Sequence, residues 1–243
     1  MVITRPRAQA GALARLLARD GAKVVFAPSI RIEPPRSFRS LDAALRRLET
    51  YDWVVFTSQN GVQAFFARAK KLRLRVKAAR SAAVGRKTAA ALAVFGWKAA
   101  TVPGESTGAA LARAIPIHRG DRVLLPRAQK AGADLPTLLR RRGAVVDLVT
   151  TYRTVADARG AARVRSLAAA GRLDAVTFTS ASTAEHLSRG LGAARFKKLF
   201  AAAGAASIGP VTSAALRKLG ARPFQARAPS DESLADALRA HFS

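Results

Sequence analysis

The chain has 243 residues, of which 49% are hydrophobic and 23% are charged, a balance typical of a folded protein with a buried core rather than a disordered one. Its 42 Lys and Arg outnumber its 15 Asp and Glu and give a net charge of +27, which favours polyanionic ligands, while the lack of cysteine excludes disulfides, thiolate catalysis and most zinc sites. His118, His186 and His241 are too widely spaced to form a metal motif, and no stretch approaches the roughly 20 apolar residues that span a bilayer, so a cytoplasmic protein without a bound metal is expected.

Short apolar runs alternate with Ala- and Leu-rich stretches along the first half of the chain, which is the pattern of a parallel α/β fold. A first helix is predicted over residues 7–19, with Leu13, Leu16 and Leu17 on its buried face. It should end at Gly21, because glycine readily adopts the left-handed conformation that closes a helix. Strands are predicted over residues 2–3, 23–26, 53–56, 82–84 and 101–102.

The second half of the chain repeats the first. Residues 6–9, 55–58 and 84–89 return in similar form 120, 122 and 124 positions later. Two copies of one α/β unit therefore fill the chain. Further strands are predicted over residues 123–125, 145–149, 175–178 and 206–208, and further helices are expected to close at Gly96, Gly143 and Gly220.

Two segments, residues 27–35 and 148–156, interrupt the strand–helix pattern at the same place in each copy. Each continues a strand into a polar extended stretch, which predicts a paired crossover between two domains. The domains would then be residues 1–33 with 153–243, and an inserted domain of residues 34–152. The uncrossed arrangement, with one domain for each half of the sequence, remains open.

Four predicted strand-to-helix turns carry residue types that suit an anion. Ser58 and Ser180 are good helix N-caps, and Gly85 and Gly209 permit close backbone approach. The first backbone N–H groups of a helix lack intrahelical partners, and in a parallel sheet all such turns lie along the carboxyl edge of the strands. Ordinary helix capping is the alternative for any one turn, whereas recurrence of the whole set in both halves favours a binding role.

Several common functional motifs are excluded. Residues 85–88 lack the adjacent Gly-Lys pair of a phosphate-binding P-loop, because Arg86 intervenes. No dinucleotide-binding glycine motif follows a strand, and the nucleophile elbow of α/β-hydrolases is missing. Aromatic residues make up 6% of the chain and fall mostly at expected core positions, which argues against a protein that stacks nucleic-acid bases.

Together, these segments resemble uroporphyrinogen-III synthases. The similarity is carried, in order along the chain, by residues 4–6, 56–62, 83–89, 152–154 and 208–212. The resemblance implies two flavodoxin-like parallel-sheet domains joined by a two-stranded β-ladder, with the crossed connectivity. It also implies conversion of the linear tetrapyrrole hydroxymethylbilane into uroporphyrinogen III, with inversion of ring D and loss of water, without a metal or organic cofactor.

The same resemblance implies roles for particular residues. Tyr152 matches the family's crossover tyrosine and is the candidate that assists departure of the substrate hydroxyl, with packing in the ladder as its alternative role. Thr88 and Thr212 match two family threonines and complete the catalytic candidates. The many carboxylates of the substrate suit helix N-termini and a spread positive charge. The candidate substrate-binding residues are Arg5, Thr57, Ser58, Gln59, Asn60, Gly85, Arg86, Lys87, Arg127, Ser180, Ala181, Ser182, Gly209 and Pro210.

The expected partner is the linear tetrapyrrole, bound by a cytoplasmic monomer that makes transient contact with the preceding pathway enzyme and needs neither a membrane nor nucleic acid. Two features keep an alternative open. Ala181 and Thr183 stand where the family often has proline and glycine, and the charge of +27 exceeds what this activity requires. The alternative is a nonenzymatic, duplicated α/β module that binds a polyanion such as RNA.

Overall fold

The computed structural model describes residues 1–76 and 80–242, and the elements below lie within those ranges. The strands are β1 (Val2–Ile3), β2 (Val25–Phe26), β3 (Ile30–Glu33), β4 (Trp53–Phe56), β5 (Arg80–Ala83), β6 (Arg122–Ala128), β7 (Val145–Ala156), β8 (Ala175–Phe178), β9 (Gly204–Ser207) and β10 (Pro223–Gln225). The α-helices are α1 (Gly11–Arg19), α2 (Arg39–Arg46), α3 (Gln59–Lys71), α4 (Arg86–Ala93), α5 (Gly108–Ala114), α6 (Asp134–Arg141), α7 (Ala158–Ala169), α8 (Ala181–Leu191), α9 (Ala193–Ala202), α10 (Pro210–Lys218) and α11 (Asp231–Phe242). None of the described helices combines the length and apolar character needed to cross a membrane.

The chain divides into two compact units. Unit 1 consists of Met1–Arg31 and Val155–Ser243, and unit 2 consists of Ile32–Thr154. The chain passes from one unit to the other within β3 and returns within β7, and these two strands are neighbours in one sheet. Each unit is described below by itself.

Within the described part of unit 1, the sheet has the strand order β10-β9-β8-β1-β2, and its neighbouring strands are parallel. This is the order of flavodoxin-like doubly wound sheets. The strands are short and apolar because helices cover both faces. One face buries Phe178 among side chains of α7, α8, α9 and α10, and the other buries Ile3 among side chains of α1 and α11.

Within the described part of unit 2, the sheet has the order β3-β7-β6-β4-β5, and a parallel bridge between Ala82 and Thr101 continues it beyond β5. The β7-β6, β6-β4 and β4-β5 pairs are parallel. On one face, the rings of Phe56 and Phe65 meet edge to face with their centroids 5.4 Å apart. The other face buries Trp53 beside α5 and α6.

The two sheets have the same internal order, although the chain reaches them by different routes. Unit 1 runs β2-β1-β8-β9-β10, and unit 2 runs β7-β6-β4-β5 and then the bridge at Thr101. In the sequence repeat β6 corresponds to β1, while β8 and β9 correspond to β4 and β5. Each unit therefore combines the first strands of one sequence copy with the later strands of the other.

The predicted α/β fold class is confirmed, and β1, β4 and β8 have their predicted bounds. β6 and β7 continue past the predicted ends at residues 125 and 149, because parallel pairing persists to Ala128 and Tyr152 although the side chains there are no longer uniformly apolar. The first helix was expected from Arg7, but a separate 3-10 turn occupies Arg7–Gln9 and α1 begins at Gly11.

The predicted glycine helix ends are also confirmed. Gly21, Gly96, Gly143 and Gly220 have φ angles of 80°, 73°, 90° and 88°, in the left-handed region that side chains disfavour. The first helix buries Leu13 and Leu17 completely and leaves Leu16 partly buried against the same core.

An ion pair between helices makes part of the stability of unit 2 depend on pH. Arg68 on α3 donates to both carboxylate oxygens of Asp42 on α2, at 2.6 and 2.5 Å, and its guanidinium also lies 4.1 Å from the ring centroid of Phe38. The hydrogen bond from Arg68, opposed in part by burial, holds the pKa of Asp42 below its ordinary value of 3.8. The pair should therefore stabilise the folded state above that pH, and the stabilisation should be lost as pH falls through the lowered pKa.

Replacing Asp42 by asparagine should lower the free energy of unfolding near pH 7 by about 1 kcal/mol. The difference between wild type and Asp42→Asn should shrink below about pH 4, because the wild-type carboxyl becomes protonated as the pH falls. Urea unfolding at several pH values measures both effects, with Glu49→Gln, an exposed change in the same unit, as the control. A difference that stays constant down to pH 2 would contradict this assignment.

Candidate functional site

The turn from β4 into α3 is fixed by Ser58, the N-cap of the helix. Its backbone is extended, with φ of −159° and ψ of 151°, and its Oγ accepts a hydrogen bond from the backbone N–H of Gly61 at 3.0 Å. Position 61 has little space for a side chain, because an ideal Cβ would lie 3.2 Å from Ser58 Oγ and 3.4 Å from the carbonyl oxygen of Pro126. Glycine thus lets α3 start close to β6. The predicted site residues beside Ser58 are half-buried at this turn: Thr57, Gln59 and Asn60.

Tyr152 lies against this turn. Its hydroxyl is 3.1 Å from Ser58 Oγ, and either oxygen can be the donor. The residue is only 8% exposed and lies on β7, where it pairs with Ala128 of β6 directly after a shift in the strand register. The structure thus brings together a predicted catalytic phenol and a predicted binding serine.

The turn from β5 into α4 is built around Gly85, whose backbone is extended at φ −168° and ψ 171°. A Cβ at this position would collide with Ser106 Oγ, so a larger residue here would force the Ser106 side chain to move. Arg86 and Lys87 follow in the first turn of α4 and are exposed, whereas Thr88 is 5% exposed. The cations face solvent, and the threonine lies beneath them.

Arg127 occupies the end of β6 in unit 2. Its Nη2 donates to the carbonyl oxygen of Gly132 at 2.9 Å, which holds the guanidinium against the following loop. Partial burial lowers the pKa of Arg127 below its ordinary value. The side chain nevertheless remains a cation at neutral pH, because an arginine guanidinium is too basic to lose its proton there.

In unit 1, Ser180 caps α8 as Ser58 caps α3. Its φ and ψ are −162° and 155°, and its Oγ accepts from the backbone N–H of Thr183 at 3.3 Å. The same oxygen lies 3.0 Å from Ser182 Oγ, so two hydroxyls share this turn. Ala181 is half-buried beside them. A threonine occupies the position that Gly61 has in unit 2, and its own hydroxyl donates to the carbonyl oxygen of Ser180 at 2.7 Å.

Gly209 begins the remaining turn, from β9 into α10. Its backbone is extended at φ 174° and ψ 178°, and Pro210 is the first residue of the helix. Proline suits this position, because the N–H that it lacks would have no acceptor within the helix. Thr212 is 4% exposed, which matches the burial of Thr88 in unit 2. Both predicted threonines therefore lie beneath their turns.

The corresponding turns of the two units differ in charge. At matching positions of the repeat, unit 2 has exposed Arg86 and Lys87, whereas unit 1 has Pro210 and Val211, and Val211 is 75% exposed. Their backbones have similar extended glycine caps. The unit 2 turn therefore attracts anions through side-chain charge as well as backbone donors, while the unit 1 turn offers backbone donors beside an apolar surface.

Arg5 lies two residues after the end of β1 in unit 1 and is 8% exposed. Its guanidinium donates to both carboxylate oxygens of Asp231, at 2.9 and 2.6 Å, in the first turn of α11. Its Nε is one of the buried atoms for which the described residues provide no hydrogen-bond partner. The side chain predicted to face the substrate is thus held in an ion pair within unit 1.

Sequence reasoning missed two residues that shape the site. Gly61 gives Ser58 its capping N–H and lacks a side chain where β6 comes close, and the only sequence signal was its place three residues after an N-cap serine. Asp231 pairs with Arg5, and its only signal was an acidic residue at the start of a predicted helix. Asp231 lies 226 residues from Arg5, so that contact has no local signal.

The histidines lie apart from these turns or contribute only locally. His118 and His241 are exposed, and His186 is half-buried, with Nδ1 2.7 Å from the carbonyl oxygen of Ser182. Across residues 1–76 and 80–242, no three His, Asp or Glu side chains group as ligands for a metal ion.

Comparison with known proteins places the chain in one family. The family model described as uroporphyrinogen-III synthase HemD matches residues 11–236. The uroporphyrinogen-III synthase of Synechococcus elongatus is 31% identical over 90% of this chain and 86% of its own length. The porphyrin biosynthesis protein HemD of Ruminiclostridium josui is 30% identical over 98% of this chain, which spans only 47% of that longer protein.

Solved structures agree with the sequence relatives. A mutant uroporphyrinogen III synthase from Thermus thermophilus is 26% identical and superposes with a TM-score of 0.70 over 99% of this chain and 96% of its own. The uroporphyrinogen-III synthetase of Helicobacter pylori shares the fold, with a TM-score of 0.63 at 19% identity over 91% of this chain and 94% of its own. The chain therefore belongs to the uroporphyrinogen-III synthase HemD family, and its activity is that of a hydro-lyase in tetrapyrrole biosynthesis.

Proposed function

We propose that the turns at the carboxyl edges of both sheets bind the carboxylates of hydroxymethylbilane, and that Tyr152 donates a proton to the departing hydroxyl group. The observation that carries the proposal is the 3.1 Å contact between the Tyr152 hydroxyl and the N-cap oxygen of Ser58. It puts a phenol beside a helix start, and the first N–H groups of a helix suit a carboxylate. A substrate carboxylate bound there would therefore bring its own pyrrole close to the phenol.

Binding would be distributed over several weak contacts. Ser58, Gly85, Ser180 and Gly209 supply four helix starts with extended backbones, and each can offer first-turn N–H donors to an anion. Arg86, Lys87 and Arg127 would add positive charge in unit 2. Thr57, Gln59, Asn60, Ala181, Ser182 and Pro210 flank the same turns. Arg5 would act mainly through its ion pair, by holding the start of α11.

The chemistry requires positioning more than a strong nucleophile. Tyr152 would donate a proton to the hydroxyl oxygen as the C–O bond breaks. The hydroxyl group would depart as water, and the remaining pyrrole would become a cationic azafulvene. The substituted carbon of ring D would attack that cation to give a spiro intermediate, which fragments and recombines in the inverted order. The proton that ring D finally loses would restore the phenol. Such a site must mainly hold the reacting carbons together and exclude water. Thr88 and Thr212 are buried and would contribute by fixing the shape of their two turns.

We also propose the domain bounds 1–33 with 153–243 and 34–152, supported by compact units that divide at 31–32 and 154–155. A net charge of +27 favours a monomer, because like charges repel one another. We propose a cytoplasmic location on the basis of the family, and transient contact with the enzyme that supplies the bilane, since the substrate is reactive.

The direct test is incubation of the purified protein with freshly generated hydroxymethylbilane, followed by chromatographic separation of the type I and type III products. The type III isomer should predominate, whereas a reaction without protein should give the uninverted type I isomer. Type I product at the level of the protein-free reaction would refute the proposed function.

Changes at the turns should separate charge from backbone binding. The double variant Arg86→Ala/Lys87→Ala should weaken binding of uroporphyrinogen III roughly tenfold at low salt and less at high salt, because exposed charges are screened. Ser180→Ala alone should weaken it less than roughly fivefold, since the other turns remain. Titration followed by absorbance or calorimetry measures both. Complete loss of binding in a folded Ser180→Ala protein would exclude distributed recognition.

A further inference from the structure

We propose that Ser58 is a positioning residue that holds the Tyr152 hydroxyl by donating its own proton to the phenol oxygen. This leaves the phenol proton free for the substrate. The inference rests on the proposed role of Tyr152 and adds a second residue to it. Its basis is the pair of contacts at Ser58 Oγ, which lies 3.0 Å from the Gly61 nitrogen and 3.1 Å from the Tyr152 hydroxyl oxygen.

The hydrogen-bond capacity of a serine explains why the direction matters. A hydroxyl has one proton to donate and two lone pairs that accept. The Gly61 N–H occupies one lone pair of Ser58, which leaves one lone pair and the proton for the contact with Tyr152. If Ser58 donates, the phenol proton points away from Ser58 and can be transferred. When that proton moves to the leaving hydroxyl, the Ser58 O–H remains hydrogen-bonded to the phenolate that forms, and charge-assisted bonds of this kind are the strong ones.

Ser58 can act in this way because its oxygen is held in place by the backbone. The residue caps α3 in an extended conformation, and the Gly61 N–H comes from the rigid first turn of that helix. The strand that carries Tyr152 is fixed as well, since the neighbouring Thr151 donates to the carbonyl oxygen of Arg127 at 3.2 Å and Tyr152 itself is 8% exposed. Both oxygens are thus placed by secondary structure.

The equivalent serine of unit 1 has different neighbours. Ser180 caps α8 in nearly the same backbone conformation, but its Oγ lies against the hydroxyls of Ser182 and Thr183. The chain has two tyrosines, Tyr51 and Tyr152, and both belong to unit 2. Capping a helix therefore accounts for both serines, and only Ser58 has the additional contact with a phenol.

The experiment compares Ser58→Ala with Thr107→Ala. Thr107 caps α5 in the same unit, and its Oγ1 accepts from the backbone N–H of Ala110 at 3.0 Å, so both variants lose an N-cap bond of the same length. Ser58→Ala should lower kcat roughly tenfold or more with KM changed less than roughly twofold, whereas Thr107→Ala should leave kcat within roughly twofold of wild type. Ser58→Thr, which keeps a hydroxyl and an N-cap, should restore most of kcat.

Combination with Tyr152→Phe tests whether Ser58 acts through the phenol. The kcat of the double variant Ser58→Ala/Tyr152→Phe should be no lower than that of Tyr152→Phe alone. Once the phenol hydroxyl is removed, Ser58 has no group to orient, and its loss should not reduce kcat further. Independent, multiplying losses would overturn the inference, and so would a Ser58→Ala kcat equal to that of Thr107→Ala. If Tyr152→Phe alone keeps the wild-type kcat, the proposed role of Tyr152 fails and the inference fails with it. If Tyr152→Phe is slow and Ser58→Ala is not, only the inference fails.

Discussion

Replacing Asp231 by alanine should lower the free energy of unfolding of unit 1 by about 3 to 5 kcal/mol, the cost expected when one partner of a buried ion pair is removed. The side chains of Arg5 and Asp231 are each 10% exposed, and two hydrogen bonds of 2.9 and 2.6 Å join them. Without the carboxylate, a guanidinium whose Nε already lacks a partner among the described residues would be left buried with its charge uncompensated. Urea unfolding measures the change.

Two further variants separate loss of the pair from loss of any acidic residue. Asp236→Ala, on the same helix, removes an exposed carboxylate that pairs with Arg239 at 2.8 Å, and it should cost far less because exposed pairs contribute little. Arg5→Met combined with Asp231→Ala should be more stable than Asp231→Ala alone, since no charge remains buried. Equal free energies of unfolding for Asp231→Ala and Asp236→Ala would show that the buried Arg5–Asp231 pair stabilises the fold no more than an exposed pair does.

Much of the fold could be predicted because its signals are local. The bounds of β4 and β8 follow from short apolar runs that are buried on both faces of a sheet, and the helix ends at Gly21 and Gly143 follow from the need for positive φ. The N-caps at Ser58 and Ser180 are equally local, since a cap depends on groups three residues apart. These features need no knowledge of the distant chain.

Contacts between distant residues could not be predicted in this way. Arg5 follows β1 at the sheet edge where a ligand is expected, and nothing in its neighbours indicates that Asp231, 226 residues later, neutralises it. Gly160 lies within α7, although glycine has a low helix propensity. A Cβ there would collide with the carbonyl oxygen of Pro28, so the helix can pack on that segment only with glycine. Such requirements arise from packing, which a single sequence does not display.

The repeat itself limits what sequence reasoning can say about the site. It correctly indicates four similar turns, but it treats the two copies as equivalent. The structure shows that Ser58 contacts a phenol and Ser180 contacts hydroxyls, and that Lys87 corresponds to an exposed Val211. The turns of the two units therefore have similar backbones but different side chains, and a repeat in the sequence does not show which of these differences matter.

Tyr152→Phe should lower kcat roughly ten- to a hundredfold without abolishing activity, and the product should remain mainly the type III isomer. The pyrrole to which the hydroxymethyl group is attached already expels the hydroxyl by electron release. A phenol that only assists this departure should therefore contribute less than the roughly 10²- to 10⁴-fold typical of general acid catalysis. The choice of isomer depends on how ring D is held, and the turns that would hold it are unchanged by the substitution.

Stability must be matched before the rates are compared, because Tyr152 is buried in β7 and loss of its hydroxyl also removes a partner of Ser58. Tyr51→Phe provides the control, since the Tyr51 hydroxyl also belongs to unit 2 and donates to Asp147 at 2.6 Å. Tyr51 precedes β4, whereas the Ser58 turn follows that strand. Tyr51→Phe should have a lower free energy of unfolding than wild type. Its kcat, measured at temperatures where it remains folded, should equal that of wild type. A loss of more than about 10⁴-fold in folded Tyr152→Phe would make the phenol an obligatory acid, and positioning alone could then not explain the rate. A large fraction of type I product would instead show that the phenol also orients ring D, because ring closure without inversion needs no spiro intermediate.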